Sequence, residues 1–397
     1  MPELPEGSQF AFGSHNVQAD RGSTANLTLN NYADVSPRPV EPERFEEARR
    51  LLGEMPLEEL PKRAELPLGS RMPLSRNPLF VGREEELRAL AEGLKAEASG
   101  GAGQVAIVAA TGLGGVGKTQ LVTEFVYRYG QYFSGGVFWL SFADTGTVAA
   151  EIASCGGTGR MRIRPDFHAL PLEDQIQEVM AAWRGELPRL LVFDNCEDEA
   201  LLTKWGPTTG GCRVLVTSRK QSWDPVLGVK VLALDVLSRE DSVMLLREYC
   251  GDLSADDPDL YAIAEELGDL PLALDLAGRY LRRYRYAITP AQYLDRLRRL
   301  SPLEHRSLRE GGVLPTGQEQ NVARTFALSL GRLDVADPAD RLAVKLLARA
   351  ARFASGEQMP RGLLLSTLDL PDDPDEALVA EDASGRLIDL GLLAVDE

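Results

Sequence analysis

The chain has 397 residues, too many for one ordinary domain, and 44% are apolar, enough to fill several cores. Its formal net charge of −17 excludes sequence-independent attachment of the whole surface to nucleic acid or to an anionic membrane. Cys155, Cys196, Cys212 and Cys250 form no C-x-x-C pair and only His15, His168 and His305 could join them, so no zinc site is expected. Cys196 and Cys212 adjoin apolar runs and read as small core residues. No apolar stretch is long enough for a membrane span and no basic-then-apolar leader opens the chain, so a soluble, cytoplasmic protein with no membrane partner is expected.

Residues 1–78 read as an N-terminal arm, a short helix and a proline-rich linker. The arm alternates briefly at Asn16–Ala19 and again at Asn26–Asn30, as a short β-hairpin or an extended arm ordered against another surface would. Glu43 to Leu52 has Phe45, Ala48 and Leu52 on one helical face. Prolines 56, 61, 67, 73 and 78 then make a linker expected to lie along the next domain.

A second domain is expected over 79–236. Arg83 onward reads as a helix with Leu87, Leu90 and Leu94 on one side, and Val105–Ala110 as a strand buried on both faces. Gly112, Gly114, Gly115 and Gly117 follow, then Lys118, Thr119 and a helical segment. That is G-x-x-x-x-G-K-[ST] between a strand and a helix, the setting a phosphate-binding loop needs. Glycine lets successive backbone N–H groups curl around a phosphate, and the helix N-terminus adds partial positive charge. Lys118 would reach the β- and γ-phosphates and the Thr119 hydroxyl would ligate Mg²⁺. Val137–Leu140, Leu190–Asn195, Arg213–Arg219 and Val231–Leu234 are further strands, and 155–170 is a glycine- and arginine-rich surface loop. Strands alternating with helices predict a parallel sheet covered on both sides, with ligands at the carboxyl ends of its strands. There Asp194 fits a second Mg²⁺ site and Arg219 faces the γ-phosphate.

From Ser238 the pattern turns helical, and a helical domain is expected over 237–300. Ser238 and Asp241 cap the first helix, Asp257-Pro258 starts another that Gly268 stops, and Pro271 and Thr289-Pro290 start two more. Residues 301–397 show helical patterns at 322–330, 339–353 and 375–390. They close on Leu392–Val395, a short strand expected to belong to a winged-helix domain cut inside its wing.

Phe80-Val81-Gly82-Arg83-Glu84, GLGGVGKT, LLVFDN, RVLVTSR and Gly268-Asp269-Leu270-Pro271-Leu272-Ala273-Leu274 stand in the order that the NB-ARC branch of the STAND signalling NTPases uses. From about residue 79 to the end the chain resembles that family, its bacterial members most. The resemblance implies an α/β phosphate-loop domain followed by helical and winged-helix domains. It implies that the backbone around Val81 and the Arg83 side chain flank an adenine, and that Pro271 packs on it from the far side. Gly112, Gly114, Gly115, Gly117, Lys118, Thr119 and Gln120 would hold the phosphates and Mg²⁺, Asp194 would be the metal-binding acid, and Arg219 the γ-phosphate sensor. Two departures stand out. Asn195 occupies the place of a second acid that many hydrolysing relatives carry, and no histidine follows in the position that contacts the β-phosphate of ADP.

The expected function is a switch that binds ATP or ADP and hydrolyses ATP slowly. Lys118, Asp194, Asn195 and Arg219 would be its catalytic group, and the nucleotide would control domain opening and self-oligomerisation. The alternative is an ATP-regulated transcription regulator binding DNA through the winged helix. Arginines 279, 282, 283, 285, 296, 298 and 299 suggest it, but they fall in the helical region, and Asp372–Glu376 is acidic where a DNA-reading helix would be basic. Nucleotide, not nucleic acid, is therefore the expected partner.

Overall fold

The apolar runs become one five-stranded parallel sheet in the computed structural model of the protein. The structure describes residues 9–12, 15–18, 42–95, 105–112, 114–250, 254, 256–299, 312–313, 319–320, 330, 333–351, 359–368, 373–389 and 392–393. They fall into two units, 1–38 and 39–397. In the first, β1 (Gln9–Phe12) and β2 (His15–Gln18) form an antiparallel hairpin, with β2 taking in most of the first alternating stretch. The second, 26–30, lies outside the described residues.

The other unit begins with α1 (Pro42–Gly53) and α2 (Glu84–Lys95). Strands and helices then alternate: β3 (Ala106–Gly112), α3 (Lys118–Tyr129), β4 (Val137–Ser141), α4 (Val148–Ser154), α5 (Leu172–Trp183), β5 (Leu190–Asp194), α6 (Glu199–Trp205), β6 (Arg213–Thr217) and β7 (Val229–Leu234). The strand order is β4-β5-β6-β3-β7. Register explains why the strands read as unbroken apolar runs. Trp139, Val192, Leu215 and Val108 form one row across the sheet and enter the core under α2 and α3. The next row, Leu140, Phe193, Val216 and Ala109, enters the opposite core with α4, α5 and α6. Side chains alternate between faces, and both faces are buried. On the edge strand β7 the first row ends in exposed Lys230.

Because β6 lies between β3 and β5, the turn after it opens between the glycine loop and Asp194. The proline-rich stretch runs along the outer edge of the sheet. Arg71 N donates to Val137 O (2.7 Å) and Arg71 O accepts from Trp139 N (2.9 Å), a one-residue parallel bridge to β4. Met55 is wholly buried and Leu60, Leu66, Met72 and Leu74 pack on the same core. The loop at 155–170 is less superficial than expected. Phe167 and Cys155 are buried, Phe167 fills space beside Gly156, and burial raises the Cys155 thiol to about 12.

Past the sheet, α7 (Arg239–Tyr249), α8 (Pro258–Glu266), α9 (Pro271–Arg283) and α10 (Pro290–Arg299) enclose a separate core around Leu246, Ile263, Leu274 and Tyr293. Ser238 caps α7 by accepting from Asp241 N (3.0 Å), and Asp257 caps α8. Farther on, β8 (Gly312–Val313) pairs antiparallel with β9 (Glu319–Gln320). Helices α11 (Pro338–Ala350), α12 (Arg361–Ser366) and α13 (Pro374–Asp389) then share a small core of Leu342, Leu346, Leu364, Ala383 and Leu387. The helix expected at 322–330 lies, but for Leu330, outside the described residues. Leu392 and Leu393 are not a strand. Their amides turn back onto Leu387 O (2.8 and 3.3 Å), closing the end of α13. No helix among the described residues is long and apolar enough to cross a membrane.

Candidate functional site

At the carboxyl end of β3 the chain turns through 114–117 into α3. Gly115 (φ +86°) and Gly117 (φ +97°) both take the left-handed conformation that favours glycine. A Cβ on Gly117 would meet nothing, so the dihedral alone requires glycine there. Lys118 opens α3 and folds its ammonium back to donate to Gly112 O (2.7 Å). Burial by the surrounding walls lowers its pKa to about 8; Glu197 pulls it up, Arg219 pushes it down and Asp194 pulls it up.

Asp194 ends β5 directly behind this loop. Its Oδ1 accepts from Thr119 Oγ1 (2.9 Å) and Thr217 Oγ1 (2.6 Å), which tie α3, β5 and β6 together. Burial raises the Asp194 pKa, and the Thr217 bond, the Thr119 bond and the Lys118 charge work against it. The next residue, Asn195, stands at φ +61°, and its amide donates to Thr217 Oγ1 (2.8 Å). Asparagine tolerates that conformation better than most residues.

Arg219 follows β6 and is held by Glu197. Its Nε donates to Glu197 Oε1 (3.0 Å) and its backbone amide to both carboxylate oxygens (3.1 and 3.2 Å), while Ser218 Oγ adds a fourth bond (3.3 Å). Glu197 lies only three residues past Asp194. The strand pattern alone did not bring it to Arg219, because the pairing depends on β5 and β6 being neighbours.

The other wall comes from distant segments. Arg83, nearly buried and at φ +65°, donates to Glu86 (2.7 Å), Val116 O (3.4 Å) and Asp235 O. A positive φ at a large side chain is strained, and such strain collects at functional sites. Arg239 grips Asp269 with two bonds of 2.8 Å, and Asp269 O accepts from Leu237 N (3.1 Å). These fix the turn that delivers Pro271 to the start of α9. Leu272 N then donates to Gly115 O (3.2 Å), joining α9 to the glycine loop.

Between these walls lies a cavity of about 470 Å³. Of the residues expected from sequence, Val81, Arg83, Gly114, Gly115, Gly117, Lys118, Thr119, Gln120, Asp194, Asn195, Arg219 and Pro271 all line it. Gly112 does not. It ends β3 at φ +142°, where a Cβ would stand 2.5 Å from Leu234 O, so glycine allows close strand packing there while its carbonyl accepts from the Lys118 ammonium. The sequence reading missed Asn77, Leu79, Phe80, Val116, Ser141, Ala143, Thr217, Leu237, Leu245, Leu272 and Asp275. Phe80, Thr217 and Leu272 lie inside recognised motifs and Leu79 adjoins one; Leu237 just before α7, Leu245 on α7 and Asp275 on α9 sit at positions that nothing local distinguishes. The hydroxyl of Thr119 and the carboxylate of Asp194, already within hydrogen-bond reach, are hard oxygen donors that suit Mg²⁺ with water completing its shell.

No family model matches the chain. It is 29% identical over 324 residues to regulatory protein AfsR of Streptomyces coelicolor, a match spanning 79% of this chain and 30% of that protein. It is 26% identical over 248 residues to a nucleotide-binding leucine-rich repeat (NLR)-like protein of Hyaloscypha variabilis, spanning 56% of this chain and 24% of that one. The chain is related to the NB-ARC branch of the STAND-class P-loop NTPases. A solved STAND protein with a tetratricopeptide repeat sensor from Pyrococcus horikoshii is 15% identical with a TM-score of 0.33, over 81% of this chain and 41% of that one. In this NB-ARC relative the five motifs that carry the resemblance all contribute to one cavity.

Proposed function

We propose that the chain is a nucleotide-controlled switch that binds ATP or ADP with Mg²⁺ and hydrolyses ATP slowly. The observation that carries this reading is the shared cavity, in which a phosphate loop and a metal-suited acid face apolar groups from α7 and α9. Lys118 and the loop amides would hold the phosphates, and Thr119 and Asp194 would hold Mg²⁺, which supplies charge neutralisation at the phosphates. Leu79, Val81, Leu237, Leu245 and Pro271 offer the apolar walls a base needs. Asn195 can orient a water but cannot accept its proton, so turnover should lie well below the ~1 per second typical of slow enzymes. The Leu272–Gly115 bond means that a rearranged loop is felt at α9. That is how nucleotide would control the opening of a helical domain (237–300) and a winged-helix domain (301–397), and hence self-oligomerisation.

The test is to denature the purified protein and identify what is released. One equivalent of ADP or ATP is expected; none, together with no binding of either by calorimetry, would refute the reading.

The regulatory name of the AfsR relative favours a second reading, a nucleotide-regulated transcription factor. Against it, Asp375 and Glu376 are exposed on the first turn of α13. A gel shift with duplex DNA at low and moderate salt separates the two.

A further inference from the structure

A second concavity, of about 580 Å³, lies on the helical region and is lined by Tyr249, Arg279, Arg282, Arg283, Arg285 and Tyr286. Four guanidinium groups converge there in a chain of net charge −17. Arg279 is paired with Asp275 (2.8 Å). No described carboxylate pairs with Arg282, Arg283 or Arg285, all three of which are exposed. Arginines at a helix C-terminus offset its dipole, but that effect fades within a turn. Arg285 lies beyond the end of α9 and Arg279 a full turn before it, so the dipole does not account for the group. Tyr286 is 90% exposed, with Arg285 stacked on its ring at 4.7 Å and donating to its hydroxyl (2.7 Å). Guanidinium forks over a concave floor are suited to phosphate oxygens, and the volume fits a small ligand rather than a duplex.

Asp275 makes this concavity more than a local feature. Its carboxylate accepts from Arg279 and from the Tyr249 hydroxyl, both of which line the arginine concavity, and Asp275 itself lines the cavity of the phosphate loop. We propose that the arginine concavity binds a compact, multiply phosphorylated anion, and that Arg279 and Asp275 link its occupancy to the nucleotide cavity. An anion that draws Arg279 away leaves a largely buried carboxylate with the Tyr249 hydroxyl but without its paired cation at the edge of that cavity, which favours its opening. The link rests on the nucleotide reading; binding of the anion does not.

The probe is inositol hexakisphosphate, titrated by calorimetry into three forms of the full chain. The wild type should bind it, and Lys118→Ala should bind it equally while losing ADP. The triple variant Arg282→Ala/Arg283→Ala/Arg285→Ala should lose about tenfold or more in probe affinity while keeping ADP affinity and its unfolding temperature. Unchanged affinity in the triple variant, or loss in Lys118→Ala, overturns the site. So does tighter binding to a single-stranded oligonucleotide or to phosphoinositide vesicles than to the soluble probe. In the wild type the probe should speed release of a fluorescent ADP analogue severalfold, and Asp275→Asn should remove that response. An unchanged release rate overturns the link, whereas absence of ADP binding with probe binding intact refutes the nucleotide reading alone.

Discussion

The two ends of the 470 Å³ cavity are built on different principles. At the phosphate end, Lys118, Thr119, Asp194, Asn195 and Arg219 all sit at strand ends or on the first turn of a helix, braced by the sheet. Their polar groups are held by Gly112 O, Thr217 and Glu197 as well as by the Thr119–Asp194 bond, so charge and hydrogen bonding dominate. At the base end, Val81 and Leu237 come from loops and Leu245 and Pro271 from α7 and α9, and apart from Arg83 the contact they offer is apolar. Affinity should therefore reside at the first end and sensitivity to domain arrangement at the second.

The sharpest way to break this comparison is Lys118→Ala. It removes charge-assisted bonds worth about 1.5–3 kcal/mol each, so ATP and ADP affinity should both fall about ten- to a hundredfold by calorimetry. Folding should survive, since an ammonium desolvated by the cavity walls is a cost to the empty protein.

The same lysine makes binding depend on pH. Empty, it titrates near 8; a neighbouring phosphate raises that value. Above pH 8 binding must take up a proton, so affinity should fall by about tenfold between pH 7 and 9. In Lys118→Ala this dependence should flatten. A wild-type affinity that does not change with pH would mean that the ammonium does not meet the phosphates.

Arg219 and Glu197 test whether the phosphate end tells ATP from ADP. Arg219→Ala should weaken ATP relative to ADP by about five- to tenfold. Glu197→Gln, which loosens the grip on Arg219, should shift the preference toward ATP by about two- to threefold. An equal effect on both nucleotides would leave Arg219 a structural residue.

The effect at the base end should be modest. Pro271→Ala removes about two methylene contacts worth roughly 0.8 kcal/mol each if both are fully buried, so nucleotide affinity should fall by no more than about 15-fold, and by less than in Lys118→Ala. A loss as large as that of Lys118→Ala would collapse the distinction between the two ends.

The same division governs what was legible beforehand. The phosphate end could be read because its residues are close in sequence or each ends an apolar run: Gly114 to Gln120 are contiguous, and Asp194 and Arg219 close strands. β3 to β6 were legible because burial on both faces leaves an unbroken apolar signature; β7, at the edge and largely exposed, showed only its apolar end from Val231 to Leu234. The base end needed the family resemblance, since Arg83 and Pro271 are 188 positions apart and no periodicity links them. Asp275 and Leu245 were invisible because a residue of α7 or α9 facing the cavity looks like one facing the helical core. The Glu197–Arg219 pairing needed the strand order, and the motif does not reveal that β7 passes so close behind Gly112.

The bridge from Arg71 to β4 also bears on how the edge of the sheet is protected from pairing with other strands. β4 is an outer strand, and without the proline-rich stretch its Val137 and Trp139 backbone groups would offer an open template to any passing strand. Ser70 Oγ accepts from Val137 N (3.0 Å), and the Arg71 side chain reaches Trp139 O and Glu151 (3.3 Å), so two consecutive residues shield that rim. Prolines cannot extend a ladder, so the shield cannot itself recruit another copy. A chain begun at residue 79 would keep every cavity residue but Asn77 and still be expected to aggregate, with the exposed rim of β4 as the seed.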